Sequence, residues 1–510
     1  MNALELKNIT KTFGAVYANK NVSIDVRQGE ILSILGENGS GKTTLMNMVA
    51  GIYFPDEGQI FVNGKEVVIK SPKDAFDNKI GMIHQHFKLV DVFTATENIV
   101  LGIENEKFNL KESKKRVKAI TEKYGFAVDL NKKIYEMSVS EKQTVEIIKV
   151  LYRGADILIL DEPTAVLTPQ ETRKLFDVLR KMREDGKSII IITHKLNEVL
   201  EISDRVTTLR KGELVGTVDT KDATEQSLTE MMVGQKIELN IHRDEPENTK
   251  ERLVIENLSV VKKDGSLALD NVEFTAYGGE ILGIAGISGC GQKELLESIA
   301  GLQTTTKKSS ILYKPDELGP QQLVGKTPKE IRNLGIALSF VPEDRLGMGL
   351  VGNMDIIDNV MLRSYKEGKS AFLNRKAPKN KADDIINELE VVTPSPNTPV
   401  RRLSGGNIQK VLVGREIALQ PKVLMVAYPV RGLDINSSYT IYNLLNQQKD
   451  EGVAVIFVGE DLDVLLQLCD RIVVMCSGKV TGVLDARKTT KEEIGLLMTK
   501  TGGADVGKQD

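Results

Sequence analysis

The chain has 510 residues, 41% of them hydrophobic and 27% charged, with a formal net charge of −3; this is globular material for several cores and argues against a broad nucleic-acid surface. No apolar run approaches the roughly 18 residues that cross a bilayer, and the start MNALELKNITKTF lacks a secretory pattern, so the expected location is cytoplasmic. The three cysteines, Cys290, Cys469 and Cys476, have no metal-ligand spacing and read as reduced thiols.

In chain order, the apolar run Ile31–Leu35 predicts a buried strand. Gly36-Glu37-Asn38-Gly39-Ser40-Gly41-Lys42-Thr43-Thr44 follows it, and then Leu45, Met46, Val49 and Ala50 at helical spacing. Strand, glycine loop and helix in this order suit a phosphate cradle: the glycines let the loop curl its N–H groups inward, and the helix N-terminus adds a positive dipole end. Lys42 is placed for the β- and γ-phosphates, and the Thr43 hydroxyl for Mg²⁺.

Ile80–Ile83 predicts a second strand, with Gln85 beyond it able to orient water or Mg²⁺. His84 and His86 flank Gln85 as part of that segment and not as a metal pair. Lys111 to Tyr124 is a basic helical stretch read as a solvated face. A helix over Glu141–Tyr152 precedes the run Ile157–Leu160, which ends in Asp161-Glu162-Pro163. Strand alternation would send the two carboxylates to opposite sides, Asp161 to the metal and Glu162 to the attacking water as general base. A helix over Pro169–Glu184 and a strand over Ser188–Ile192 follow, the strand ending in Thr193-His194, where the histidine could contact the γ-phosphate. Strands alternating with helices predict an α/β fold built on mostly parallel sheets.

The pattern then recurs. GEILSILGENGSGKTTLMNMVAG from Gly29 returns as GEILGIAGISGCGQKELLESIAG from Gly279, a shift of 250 positions, and DRVTTLRKGELVG from Asp204 returns as DRIVVMCSGKVTG from Asp470, a shift of 266. The chain is a tandem duplication whose second copy carries 16 extra residues, expected between Gly301 and Arg345. A period this long marks two whole domains, 1–240 and 251–500. The polar stretch from Gly234 to Glu251, with Pro246 among charges, reads as a short exposed linker.

These residues carry a resemblance. Over nearly its whole length the sequence resembles ATP-binding cassette proteins: Walker A at Gly36–Thr44, Q-loop at Gln85, Walker B at Ile157–Glu162 and H-loop at His194. The resemblance implies two P-loop cassettes, each with a mostly parallel core, an antiparallel β part and a helical subdomain, binding ATP and Mg²⁺. It makes Phe13 the aromatic that stacks on adenine, gives the metal to Thr43, Gln85 and Asp161, and makes Lys42, Gln85, Glu162 and His194 catalytic. The family's signature is well formed only in the second copy, as Leu403-Ser404-Gly405-Gly406-Asn407, with Gln409 following. Ser404, Gly405, Gly406 and Gln409 are thereby assigned to the nucleotide.

The copies are not equivalent. In the second loop Gln292 stands for the phosphate lysine and Lys293 for the metal hydroxyl, Ala427-Tyr428 replace the two acids, and Glu343 and Glu460 replace Gln85 and His194. The first copy's signature is degraded, Ser138-Val139-Ser140-Glu141. Cassettes of this family pair head to tail, so pairing within the chain implies one competent site, completed by the second copy's signature and Asp434, and one incompetent site. The fused, asymmetric arrangement is similar to importer ATPases for sugars, and GMIHQHFKLVDVFTATENIVLG with YRGADILILDEPTAVLTPQE resembles their nucleoside branch. This implies an ATPase at the cytoplasmic face of the membrane, docked on separate permease subunits and served by an extracellular or periplasmic solute-binding protein, with a purine nucleoside ahead of a simple sugar or a riboflavin-like vitamin as cargo. The alternative is a tandem-cassette translation factor on ribosomes, which usually keeps two complete sites and a long charged linker.

Overall fold

The computed structural model describes residues 1–14, 16–84, 87–102, 110–165, 167–235, 241–246, 249–262, 264–287, 289–316, 319–340, 349–365, 373–431 and 433–499. It divides into two compact units, Met1–Leu239 and Asn240–Asp510.

The strands of the first unit are β1 (Asn2–Phe13), β2 (Val16–Arg27), β3 (Ile31–Leu35), β4 (Glu57–Val62), β5 (Lys65–Val67), β6 (Ile80–Ile83), β7 (Ile157–Asp161), β8 (Ser188–Ile192), β9 (Arg205–Arg210) and β10 (Glu213–Asp219). They form an antiparallel sheet in the order β2-β1-β4-β5 and a six-stranded sheet in the order β10-β9-β3-β8-β7-β6, parallel except for its β10 edge. Every residue of β3, β7 and β8 is buried. That is why these strands read as unbroken Ile/Leu runs: helices or the other sheet cover both faces, so neither face selects for polar residues. One core joins the antiparallel sheet to the helix Lys42–Val49 through Leu4, Leu6, Ile24, Leu45 and Met46. A second lies across the parallel sheet, around Phe176, Leu179 and Ile191. A third, around Ile99, Val117, Val145 and Ile148, packs a helical part built from Ala95–Val100, Leu110–Tyr124 and Val139–Tyr152. The basic helix buries Val117, Thr121 and Tyr124 and leaves most of its lysines to solvent.

The second unit repeats this plan. Its strands are β11 (Lys250–Val261), β12 (Leu267–Gly278), β13 (Ile281–Gly286), β14 (Ser310–Tyr313), β15 (Gln321–Gln322), β16 (Ile336–Phe340), β17 (Val423–Ala427), β18 (Ala454–Val458), β19 (Arg471–Cys476) and β20 (Lys479–Asp485). Their orders, β12-β11-β14-β15 and β16-β17-β18-β13-β19-β20, match the first unit strand for strand.

Two expectations change. The extra residues are not gathered between Gly301 and Arg345. The offset between equivalent positions is 250 at the helix starts Lys42 and Gln292, 256 at the helix caps Ser71 and Thr327, 261 at Thr94 and Asp355, and 266 at Ser138 and Ser404. The increments are therefore spread over three separate stretches of chain between those caps. The linker is also not a free connector. Over 241–246 it is fastened to the second unit: Arg243 donates to the carbonyl oxygens of Leu466 (3.0 Å) and Cys469, Asn446 donates to His242 O at 2.7 Å, and Lys449 and Arg487 donate to Asp244 O at 2.7 and 2.8 Å.

Lys449 also forms a buried ion pair with Asp470 (3.0 Å), whose other oxygen accepts from the Ile281 N–H at the start of β13. Removing one partner of such a pair leaves a buried charge uncompensated. Arg487 also reaches the Asp470 oxygen that pairs with Lys449, at 3.3 Å, so Lys449→Ala is expected to lower the stability of the second unit in urea unfolding by less than the roughly 3 kcal/mol of a fully unpaired buried charge. The double variant with Arg487→Ala should lower it by more, leaving the transition of the first unit in place.

Candidate nucleotide site

β3, β7 and β8 lie side by side in parallel, so their C-terminal ends bring Gly36, Asp161 and Thr193 to one edge of the sheet. From β3 the loop Gly36–Gly41 leads into the helix Lys42–Val49. Gly41, the N-cap, has φ +96°, and a Cβ there would lie 2.3 Å from Ala18 O, so only glycine fits. Asn38 and Gly39 form the exposed loop tip, Glu37 and Thr44 are half-buried, and Ser40 is buried with its hydroxyl unpartnered. Lys42 is 6% exposed and folds its ammonium back over the loop, donating to Gly36 O (2.6 Å) and Glu37 O (3.0 Å). Burial pushes its amine below the ordinary value against the pull of Glu162 and Asp161.

The Thr43 hydroxyl lies 3.5 Å from Asp161 Oδ1. Burial, reinforced by the Glu162 charge, pushes the Asp161 carboxyl up to about 6. A hydroxyl beside a buried carboxylate fits Mg²⁺, a hard cation that takes one or two protein oxygens and completes its octahedron with water and phosphate. Glu162 Oε1 is 2.9 Å from His194 Nδ1, while Oε2 is buried without a partner. The bond to Glu162 raises the His194 pKa.

The separation of the two acids has a different origin from strand alternation. β7 ends at Asp161, and Glu162 sits in the left-handed region at φ +48°, its N–H bonded to Ile192 O at 2.9 Å. The turn, not the pleat, aims its carboxylate at His194. Tyr428 repeats this geometry at φ +51°, bonded to Val458 O at 2.8 Å.

Phe13 closes β1 with a half-exposed ring, packed edge-on against Tyr53 with ring centroids 5.3 Å apart. Sequence reading missed Tyr53; its signal was the aromatic pair Tyr53-Phe54 directly after the phosphate-loop helix. Gln85, Glu343 and the glycine of the Arg431–Asp434 turn lie outside the described residues.

In the second unit Gln292 occupies the place of Lys42, with its amide donating to Ile287 O at 3.1 Å. Tyr428 packs against the core beside Cys290, and Glu460 pairs with Arg431 at 3.6 Å. Neither carboxylate of the Asp161–Glu162 pair has a counterpart there.

The two signature helices differ electrostatically. Ser138 and Glu141 form a capping box, and Lys132 holds the Glu141 carboxylate at 2.9 Å. A helix N-terminus carries about half a positive charge, and here its own glutamate already neutralises it. The helix Gly405–Ile417 is capped by Ser404 and has no acid in its first turn, which leaves the Gly405 and Gly406 region open to an anion. Gln409, expected among the nucleotide ligands, lies inside the unit. It is fully buried and donates to the carbonyl oxygens of Tyr428 (3.3 Å) and Pro429. Gln143 does the same to Pro163 O at 2.5 Å. Both glutamines tie a signature helix to the end of its neighbouring strand, because a buried amide must spend its donors.

A glycine loop with a buried lysine, two adjacent acids and a histidine at one sheet edge is the arrangement expected of an ATP-binding cassette. Residues 19–165 and 269–429 match the family described as ABC transporter, and the chain belongs to that family. Such cassettes bind and hydrolyse ATP. Among its relatives, the guanosine import ATP-binding protein NupO of Bacillus subtilis is 41% identical over 99% of each chain, and the nucleoside import ATP-binding protein NupA of Lactococcus lactis 40% identical over 97% of each. The glucose import ATP-binding protein TsgD13 of Haloferax volcanii is 38% identical over 98% of this chain and 96% of its own.

Because the folded Asp161 carboxyl ionises at about 6, above its ordinary 3.8, the nucleotide-free fold loses stability as pH rises between those two values, and the loss is complete above the higher one. Asp161→Asn should therefore raise the Tm of nucleotide-free protein at pH 8 by a few degrees and have little effect only below the ordinary carboxylate value of 3.8. The same substitution should abolish Mg²⁺-dependent ATP hydrolysis.

Proposed function

We propose that this chain is the ATPase subunit of an importer for purine nucleosides, working through separate membrane permease subunits at the cytoplasmic face. The asymmetry of the two units supports it most directly: Lys42, Thr43, Asp161, Glu162 and His194 converge in the first, while the second offers Gln292, Ala427, Tyr428 and Glu460 at the matching places. The high identity to nucleoside and guanosine import ATP-binding proteins over full length favours a nucleoside over a sugar. No described helix is long and apolar enough to cross a membrane, consistent with a subunit that borrows its pore.

In this reading adenine stacks on Phe13, and the loop amides with Lys42 hold the phosphates. Thr43, Asp161 and Gln85 are the residues that would hold Mg²⁺, which when bound would neutralise charge on the phosphates. Glu162 takes the proton of the attacking water, and His194 keeps that carboxylate aimed. Ser404 and the amides of Gly405 and Gly406 complete the site from the second copy, pairing within the chain. The matching position for nucleotide at Gln292 lacks both acids and is expected to cleave little or nothing. Closure of the pair drives the permease outward-facing, and hydrolysis resets it. An extracellular or periplasmic solute-binding protein selects the cargo.

Glu162→Gln should retain ATP while losing at least about 100-fold in turnover, as expected for removal of a general base. Gln292 and Tyr428 variants should keep most of their hydrolysis; equal losses at all three positions would contradict the single-site reading. Affinity capture of tagged protein from detergent-solubilised membranes should recover a permease pair, and recovery of ribosomes instead would contradict the import reading.

A further inference from the structure

The first phosphate loop has a support that the second lacks. Asn19, in β2, is completely buried, and its Nδ2 donates to Gly41 O at 3.2 Å. That carbonyl also accepts from Leu45 N at 2.9 Å. The neighbouring residues grip the same loop: Lys20 N donates to Gly212 O (2.8 Å), and Gly212 N donates to Ser40 O (3.1 Å). At Gly41 the fit is close, since a Cβ there would stand 2.6 Å from Asn19 Nδ2.

The other end of the Asn19 amide, Oδ1, is buried without a partner. An unpaired buried acceptor is costly, and an apolar side chain of similar size would avoid the cost. The second unit makes that choice. Leu269 holds the equivalent position, fully buried against Gly291, and Gly291 O keeps its helical bond from Leu295 N at 2.9 Å. Asparagine is thus present where the loop carries its lysine, and absent where the loop has lost it.

We propose that Asn19 is a positioning residue for ATP at Lys42, a role that rests on the assignment of that site as the nucleotide site. A trans peptide points its C=O and N–H in opposite directions. By holding the Gly41 carbonyl outward, Asn19 fixes the Lys42 N–H toward the loop interior, where phosphate oxygens sit. The gain is preorganisation: the loop does not have to order its amides when the triphosphate arrives.

The test is calorimetric titration of the full chain with Mg-ATP, with Lys42→Ala as control, beside thermal unfolding without nucleotide. Asn19→Leu, the arrangement of the second copy, should weaken ATP binding by about three- to tenfold, the range of one lost hydrogen bond, and hold or raise Tm because the unpaired acceptor is gone. Asn19→Asp keeps the shape, removes the donor and adds a negative charge behind the phosphates. It should weaken binding further at pH 8, and it carries the test if the leucine variant does not fold. Loss of affinity together with unchanged Tm separates positioning from a merely structural role. If Lys42→Ala binds ATP as the unaltered chain does, the site assignment fails. If Lys42→Ala loses binding while Asn19→Leu and Asn19→Asp stay within twofold of the unaltered chain, the Asn19 inference alone fails.

Discussion

The structure depends on three short parallel strands, β3, β7 and β8, buried on both faces and ending at the same edge. Burial on both sides leaves no freedom of register, because a slip by one residue would break every ladder bond and displace a packed side chain. The rigid edge that results carries the phosphate loop, the acids and the histidine on three separate connections. Preorganisation of this kind lets fixed charges and dipoles meet a developing charge without rearranging. The left-handed turn at Glu162 is the clearest instance: one positive φ, held by the bond to Ile192 O, aims a carboxylate whose second oxygen is left buried and unpaired.

Duplication allows scaffold and chemistry to be told apart. Tyr428 adopts the same left-handed turn as Glu162, Gln292 bonds to the loop as Lys42 does, and Gln409 ties down its strand end as Gln143 does. The second unit has kept the frame and exchanged the side chains proposed to react. The opposite exchange affects the signature helices, where Glu141 with Lys132 closes the first N-terminus and two glycines leave the second open. Losses on the two copies are complementary, as expected if one pair of elements forms a working site and the other pair serves as support.

Much of this was legible in the sequence because the signals were local. Continuous Ile/Leu runs marked β3, β7 and β8, and glycine spacing marked the loop that Gly41 φ and the Ala18 contact later explained. What the sequence hid was non-local. The fate of Gln409 depends on a carbonyl twenty residues away, the anchoring of Arg243 on carbonyls more than two hundred residues on, and the partner of Phe13 on the path taken after the first helix. The alternation argument for Asp161 and Glu162 reached a sound separation by the wrong cause, since a strand pattern does not announce the residue where the strand stops and turns left-handed. The extra residues of the second copy were misplaced for a similar reason: only strand pairing and helix caps reveal three separate increments.

The central claim is that one of the two phosphate loops breaks ATP. It is tested most directly by rapid acid quench of the chain assembled with its permease and loaded with saturating ATP, counting inorganic phosphate formed per chain in the first cycle. The account gives one phosphate per chain. Two phosphates per chain, formed at matching rates, would contradict it.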